Sequence, residues 1–328
     1  MRKKYRIDIV ANHYSEQPDI VRRFLDSIEM QDGIDFNDIC VWVCSDGLDK
    51  KLDMSVLEGY KFPLRYAAVE HRGKCSIRNL LLDETANEYI MFCDVDDCFC
   101  EKDGLKIIFE AMQQREPNII ASDYLSETMR DGELKTVVYR KDIIRIHGKA
   151  YRRQYLKQKN IRYCDEVQVN ADQYFMYQAF ALTDNVVWIE KPFYCWKHNP
   201  KSCTKEEGGF NVRTYREMMT AYGLLAENFF SRGRMDLYDM VLCVTFAMMH
   251  VHSMFDPNFR ENTDVAIRAQ ETIRDYLSRF LIHYLKIPEE VRKRQYIEEA
   301  KYLAVREPDK HYRNLLSWVG QMVATKEG

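Results

Sequence analysis

Tyr89-Ile90-Met91-Phe92-Cys93-Asp94-Val95-Asp96-Asp97 runs five apolar residues into three carboxylates within four positions. The apolar part reads as a buried strand. Carboxylates this close repel one another, and desolvating them is costly unless a cation sits among them. Hard oxygen ligands at a strand end suit Mg²⁺ or Mn²⁺, whose usual companion is a phosphate-bearing substrate. The competing reading is a strand that ends in a solvated acidic turn.

The flanking sequence repeats the pattern. Residues 6–12 read as a first strand, and 19–31 as a helix with Ile20, Phe24, Leu25 and Ile28 on one face. Residues 39–44 form a continuous apolar run, expected to be a strand covered on both faces, and it ends in Ser45-Asp46-Gly47. Residues 64–69 give a third strand and 76–86 a helix that leads into the strand before Asp94. A helix over 103–115, with Asp103 placed to cap it, precedes a short strand over 119–122. Alternating strands and helices imply an α/β sheet with right-handed crossovers. Ligands bind such sheets at the carboxyl ends of the strands, where Asn12, Asp46 and Asp94 all fall.

After residue 205 only helical periodicities remain, over 211–231, 235–254, 263–285, 289–304 and 309–322. The expected organisation is therefore 1–205 as the α/β domain and 206–328 as a helical domain. His250 and His252 lie two apart in such a helix, on different sides, and read as structural. Residues 123–146 show no recognisable pattern and are expected to be a loop.

Composition excludes several classes. With 328 residues, 46% hydrophobic, the chain can bury a substantial core, and a net charge of −3 gives no case for nucleic acid or an anionic membrane. The ten cysteines form no Cys-x-x-Cys pairs, so zinc is not expected, and Cys98-Phe99-Cys100 reads as loop. Residues 1–5 lead straight into a strand without a signal-peptide core, and no apolar stretch reaches the roughly 18 residues of a membrane span. The expected location is a reducing cytoplasm, with peripheral attachment at the inner membrane face left open.

Seven motifs in order resemble a family 2 glycosyltransferase of the GT-A fold. They are His13-Tyr14, Ser45-Asp46-Gly47, Gly73 to Asn79 (Gly-Lys-Cys-Ser-Ile-Arg-Asn), and the Glu88 to Asp97 run. His147-Gly148-Lys149-Ala150-Tyr151-Arg152-Arg153 with Asn160-Ile161-Arg162 follows, then Asn170-Ala171-Asp172 and Tyr194 to His198. The resemblance covers about 5–205. It implies a Rossmann-like domain that binds a nucleotide-sugar through a mainly parallel mixed sheet.

The resemblance also implies roles. Asn12, Asp46, Lys74, Arg78 and Asp94 are the expected donor-binding set. Asp46 meets the nucleobase or ribose, its plain alternative being a Ser-Asp-Gly turn. The family often has two acids there, and Ser45 replaces the first. Asp96 binds Mn²⁺ or Mg²⁺ directly, His198 is a candidate third ligand, and the metal bridges the diphosphate of a sugar nucleotide expected to be UDP-linked. Asp97 orients the sugar or supports the metal site from behind, its plain alternative being to cap the next segment. Lys201, Ser202 and Thr204 are placed to touch phosphate from a closing loop. Lys74 and Arg78 meet the diphosphate or uracil, or else Arg78 ties the strand ends together through an aspartate. Asp172 is the candidate general base of an inverting transfer, although Ala171 stands where the family has Glu; its alternative is to cap a helix over 173–182.

The implied acceptor is a hydroxyl of a glycan, glycolipid or cell-envelope polymer. Two other readings stand beside it. A modified nucleic-acid base is one, through a local basic face of Arg140, Lys141, Arg145, Lys149, Arg152 and Arg153. A non-catalytic binding module of the same fold is the other. A sugar-nucleotide-forming enzyme is disfavoured because its Gly-rich loop near the N-terminus is missing. The helical domain is left to acceptor docking, membrane contact or self-association.

Overall fold

The computed structural model describes residues 6–130, 132–167, 171–199, 212–255, 264–302 and 305–324. It divides into two compact units, Met1–Ser202 and Cys203–Gly328. In the first, strands β1 (Ile7–His13), β2 (Ile39–Asp46), β3 (Leu64–Val69) and β4 (Tyr89–Asp94) run parallel. With β6 (Ile119–Ser122), β9 (Lys149–Arg152) and β10 (Val186–Ile189) they form one sheet, in the order β10-β6-β9-β4-β1-β2-β3. Only β9 is antiparallel to its neighbours. The register sets Asn12 beside both Cys44 and Asp94, so the carboxyl ends of β1, β2 and β4 finish level.

The helices are α1 (Pro18–Glu29), α2 (Lys74–Glu84), α3 (Gly104–Arg115), α4 (Arg153–Gln158) and α5 (Ala171–Ala181). Pro18 suits the first turn of α1, where its missing N–H is not needed. Val21, Phe24, Leu25 and Ile28 then form a stripe at helical spacing, buried on Ile7, Ile9, Ala11, Val41, Val43 and Met91. On the other face of the sheet, Phe92 meets Tyr163 and Phe175 edge-on at 5.2 and 5.5 Å. Each such buried side chain stabilises by roughly 1.5–3 kcal/mol. Cys40 and Trp42 are only half-buried, so β2 is not covered on both faces along its whole length. Only β3 lies outside it, and a side chain this near the sheet margin meets less cover. Asp103 does not cap α3 with its side chain; both its oxygens take Lys191 Nζ at 2.7 Å instead.

A second sheet of the same unit comprises β5 (Cys98–Phe99), β11 (Tyr194–Trp196), β7 (Tyr124–Arg130) and β8 (Glu133–Tyr139), in that order. The stretch expected to be a loop over 123–146 thus contains a hairpin, paired from Tyr124 with Tyr139 to Arg130 with Glu133. Strand β8 is largely exposed, and β7 alternates buried and half-buried residues only over its first four positions, too short a run to mark the hairpin in the sequence. Cys98-Phe99 is a strand rather than a loop, antiparallel to β11.

The second unit is helical: α6 (Val212–Ser231), α7 (Met235–Phe255), α8 (Asp264–Lys286), α9 (Glu289–Tyr302) and α10 (Pro308–Ala324). The expectation about apolar stretches needs one correction. Helix α7 is long and apolar enough to cross a membrane by length and composition, but most of it is buried inside the protein, as the core helix of a bundle would be. His250, within it, bonds Tyr296 Oη at 2.8 Å and packs against Trp318.

Candidate active site

The acidic turn is tight, with Asp97 N–H donating to the Asp94 carbonyl at 3.1 Å. Its three carboxylates have three different partners. Asp94 accepts from Arg78 Nη2 at 2.7 Å and Asp96 from Asn199 Nδ2 at 2.8 Å. Asp97 is fully buried and accepts from Lys197 N–H at 2.9 Å and Tyr194 Oη at 3.0 Å. It therefore faces neither solvent nor the following segment, as the sugar-orienting and capping readings require; it anchors the segment 194–199. Burial, then the charges of Asp94 and Glu16, push the Asp96 carboxyl up to about 6. Burial with the charges of Asp96 and Asp94 pushes Asp97 well above the usual carboxylate range.

Arg78, 1% exposed, lies beneath these groups. Its Nη1 donates to Asp172 Oδ1 at 2.5 Å, and its plane covers the Tyr163 ring at 5.1 Å. Of the two roles open to Arg78, the structure displays the tie between aspartates. Lys74 begins α2 directly after Gly73, whose φ of 85° suits a residue without a Cβ. Asp172 sits inside the first turn of α5, because the helix starts at Ala171 and not at 173; its carboxylate is turned to Arg78. Burial opposes its ionisation, but the Arg78 and Lys74 charges outweigh this and hold it at about 2.

At the other end of the site, Asp46 accepts the N–H groups of Arg72 and Gly73 at 2.8 and 3.0 Å and lies 3.1 Å from His71 Nδ1. It thus shapes the loop that leads into α2. Ser45 is consumed by His13 Nδ1 and Tyr66 Oη, at 2.8 and 2.9 Å. Asn12 Oδ1 is buried without a hydrogen-bond partner, an acceptor left open at the strand end. Tyr14, in the loop after β1, and His71, in the loop after β3, have their rings 5.2 Å apart.

Among the described residues, one group has metal-ligand spacing: Asp94, Asp97 and His147, with ligand atoms within 4.8 Å of one another. Asp96 and His198 do not enter it. His198 N–H donates to Glu127 Oε2 at 3.3 Å, and the neighbouring Asn199 is what reaches Asp96. The hard carboxylate oxygens at this turn fit a divalent cation. Asp97 and His147 are buried, which leaves Asp94 and Asp96 as the partly open oxygens. Lys201, Ser202 and Thr204 lie outside the described residues. Glu127, His147 and Asn199 received no role from the sequence. His147 and Tyr194 lay within quoted motifs, but nothing in their spacing showed that they meet.

The residues of the proposed basic face are paired or buried rather than free, although Arg140 and Lys141 stay exposed. Arg140 pairs with Asp123, Lys141 with Glu190, Arg145 with Asp142 and Arg152 with Glu116. Lys149 is fully buried, and Arg153 donates to the carbonyls of Asn87 and Leu82.

A mainly parallel sheet with an acidic turn at the carboxyl end of its central strand is the arrangement of a GT-A domain. The profile described as "Glycosyl transferase family 2" matches residues 8–184, more than half of the 328, and the chain belongs to that family and is a glycosyltransferase. No curated protein sequence matches it. Solved structures share its fold. S. aureus TarS 1–349 in complex with UDP-GlcNAc has 17% identity and a TM-score of 0.67, over 96% of this chain and 92% of that one. The complex of the same fragment with UDP has 16% identity and a TM-score of 0.63, over 96% and 91%. S. aureus TarS in a longer form has 18% identity and a TM-score of 0.64 over 94% of this chain, which spans only 54% of that one.

Proposed function

We propose that the protein is a metal-dependent, inverting glycosyltransferase that moves a sugar from a UDP-sugar to a hydroxyl of a glycan, glycolipid or cell-envelope polymer. The observation that carries this reading is the meeting of Asp94, Arg78 and Asp172 through one guanidinium, at the strand ends where Asp46 and Asn12 also stand. UDP-GlcNAc bound to a protein of the same fold supports the choice of nucleotide. Asp46, Asn12 and the N-terminus of α2 with Lys74 serve the nucleotide.

Asp96 and Asp94 would hold Mn²⁺ or Mg²⁺, with His198 as the proposed third ligand. The cation supplies positive charge against the diphosphate as it leaves. Asp172 takes the proton of the acceptor hydroxyl; no covalent enzyme intermediate is required. At about 2 it is a weak base in the ligand-free site.

The paired state of Arg140, Lys141, Arg145 and Arg152 weighs against a nucleic-acid acceptor. The described cysteines are all free, which suits a reducing cytoplasm. The helical unit is proposed to serve the acceptor or a second copy of the chain.

Thermal shift with UDP and GDP, in Mn²⁺ and in EDTA, tests the reading. UDP at about a hundred times its dissociation constant adds roughly 2.7 kcal/mol. The expected result is a large shift with UDP and Mn²⁺ and a small one in EDTA. Equal shifts in the two buffers would remove the metal from the proposal. UDP-sugar hydrolysis or transfer then separates an enzyme from a binding module.

A further inference from the structure

The segment 194–199 is fastened to the acidic turn at successive points. Tyr194 Oη donates to Asp97 and accepts Asp94 N–H at 3.4 Å, and Lys197 N–H donates to the second oxygen of Asp97. Lys197 Nζ and His198 N–H then take Glu127, and Asn199 takes Asp96. Two of these bonds end on Asp97, a carboxylate with no exposure to water. Behind it stands His147, 4% exposed, with Nδ1 at 3.4 Å from Asp97 Oδ2 but in no hydrogen bond.

Strand periodicity explains how His147 is held. Tyr194 and Trp196 are two apart, so their side chains share one face of β11. Both rings stack on the imidazole, at 5.8 and 5.1 Å. From below, buried Lys149 grips the carbonyls of His147 and Arg145 at 3.2 and 2.6 Å. Gly148 allows this turn: its φ is +67°, and a Cβ there would lie 2.3 Å from Ser122 Oγ. A buried ring nitrogen that is held this firmly beside a carboxylate, yet is left without a partner, is costly unless the contact is used.

We propose that His147 and Asp97 are a positioning pair for the donor site, sharing one hydrogen between Nδ1 and Oδ2. The shared hydrogen fixes Asp97 as the acceptor for Tyr194 and Lys197. It thereby sets where His198 and Asn199 stand against Asp96. This rests on the metal-dependent reading of the site. In this role His147 acts through Asp97.

Two substitutions separate this role from packing. His147→Phe keeps the ring stack and removes Nδ1. His147→Asn loses the stack and keeps a polar atom near the place of Nδ1. Melting without ligand checks the fold, and calorimetry with UDP in Mn²⁺ reads the site. His147→Phe is expected to melt like the wild type and bind UDP on the order of tenfold to a hundredfold more weakly, the usual effect of losing a hydrogen-bond partner behind a metal site. His147→Asn is expected to stay within about threefold of wild type. The reverse order, or equal losses in the two, would overturn the pair, since a packing residue or a direct ligand behaves in those ways. If His147→Phe does not fold, Tyr194→Phe decides: it keeps the ring, removes the hydroxyl, and should weaken Mn²⁺-dependent UDP binding. Wild-type affinity in that variant overturns the proposal. Failure of the wild-type protein itself to bind UDP with Mn²⁺ overturns the reading beneath it instead.

Discussion

Arg78 Nη1 lies 2.5 Å from Asp172 Oδ1, and the other arm of the same guanidinium lies 2.7 Å from Asp94. One buried cation therefore locks the acidic turn to the first turn of α5. The pairing offsets the burial of three charges, and it also sets the candidate base at a fixed place relative to the metal-binding turn. A bidentate guanidinium is suited to this, because its planar fork fixes direction as well as distance.

Removing Arg78 leaves two carboxylates partly buried without their counter-charge. Arg78→Met is expected to lower stability by about 3–5 kcal/mol, the usual cost of breaking a buried pair from one side. Arg78→Lys keeps a charge but not the fork, and should fall between. Melting of the three proteins at neutral pH is the check. A wild-type melting temperature in Arg78→Met would show that the pairing contributes nothing to the fold.

Asp172→Asn keeps the shape and removes the capacity to take a proton. Transfer is expected to fall by on the order of a hundredfold to ten-thousandfold, the contribution of a positioned base. UDP affinity should stay within a few-fold, because Asp94 keeps Arg78. Stability should fall by about 1–3 kcal/mol for the weakened bond to Arg78. Near-normal turnover in this variant would take Asp172 out of the mechanism and send the search to Asp165 and Glu166.

The fold was legible because burial writes itself into sequence. Ile7 to Ala11, Val41 to Cys44 and Tyr89 to Cys93 are core strands and show as apolar runs, and the five C-terminal helices carry their own spacing. The strand-end carboxylates showed because charges that abut such runs are conspicuous. What stayed hidden was long-range. Glu127 sits on a hairpin whose buried alternation is too short to read, and Asn199 is an ordinary polar residue whose meeting with Asp96 spans 103 positions. Arg78 showed as a cation after a glycine, yet its aspartate partners lie 16 and 94 residues away, beyond the reach of local spacing.

Helix α9 carries another acid with a raised proton affinity. Burial pushes the Glu299 carboxyl from its ordinary 4.5 up to about 7. An acid raised in the folded state holds its proton more tightly there than in the unfolded chain. Its contribution is therefore fully present below about 4.5 and is lost as pH rises through about 7. Glu299→Gln removes this dependence. It should stabilise the protein relative to wild type at pH 8, by on the order of 1–2 kcal/mol after allowance for partial exposure, and by little at pH 5. Melting curves of the two proteins at both pH values give the answer. A difference that is the same at pH 5 and pH 8 would exclude a burial-shifted glutamate.

Asp46 offers a way to divide the donor site into its two ends. Its carboxylate holds the backbone of Arg72 and Gly73, and it stands at the end of β2 beside the open acceptor of Asn12. The metal-binding turn is built from other residues. Asp46→Ala should therefore weaken uridine and UDP by about tenfold or more, as expected for loss of hydrogen bonds to a charged group. Mn²⁺-dependent binding of pyrophosphate, which lacks the nucleoside, should stay close to wild type. Competition against a labelled UDP-sugar, with uridine and with pyrophosphate as separate competitors, measures both. Equal loss for the two, in a protein that still melts cooperatively, would mean that Asp46 acts by holding the loop before α2 for the whole donor rather than by meeting the nucleoside.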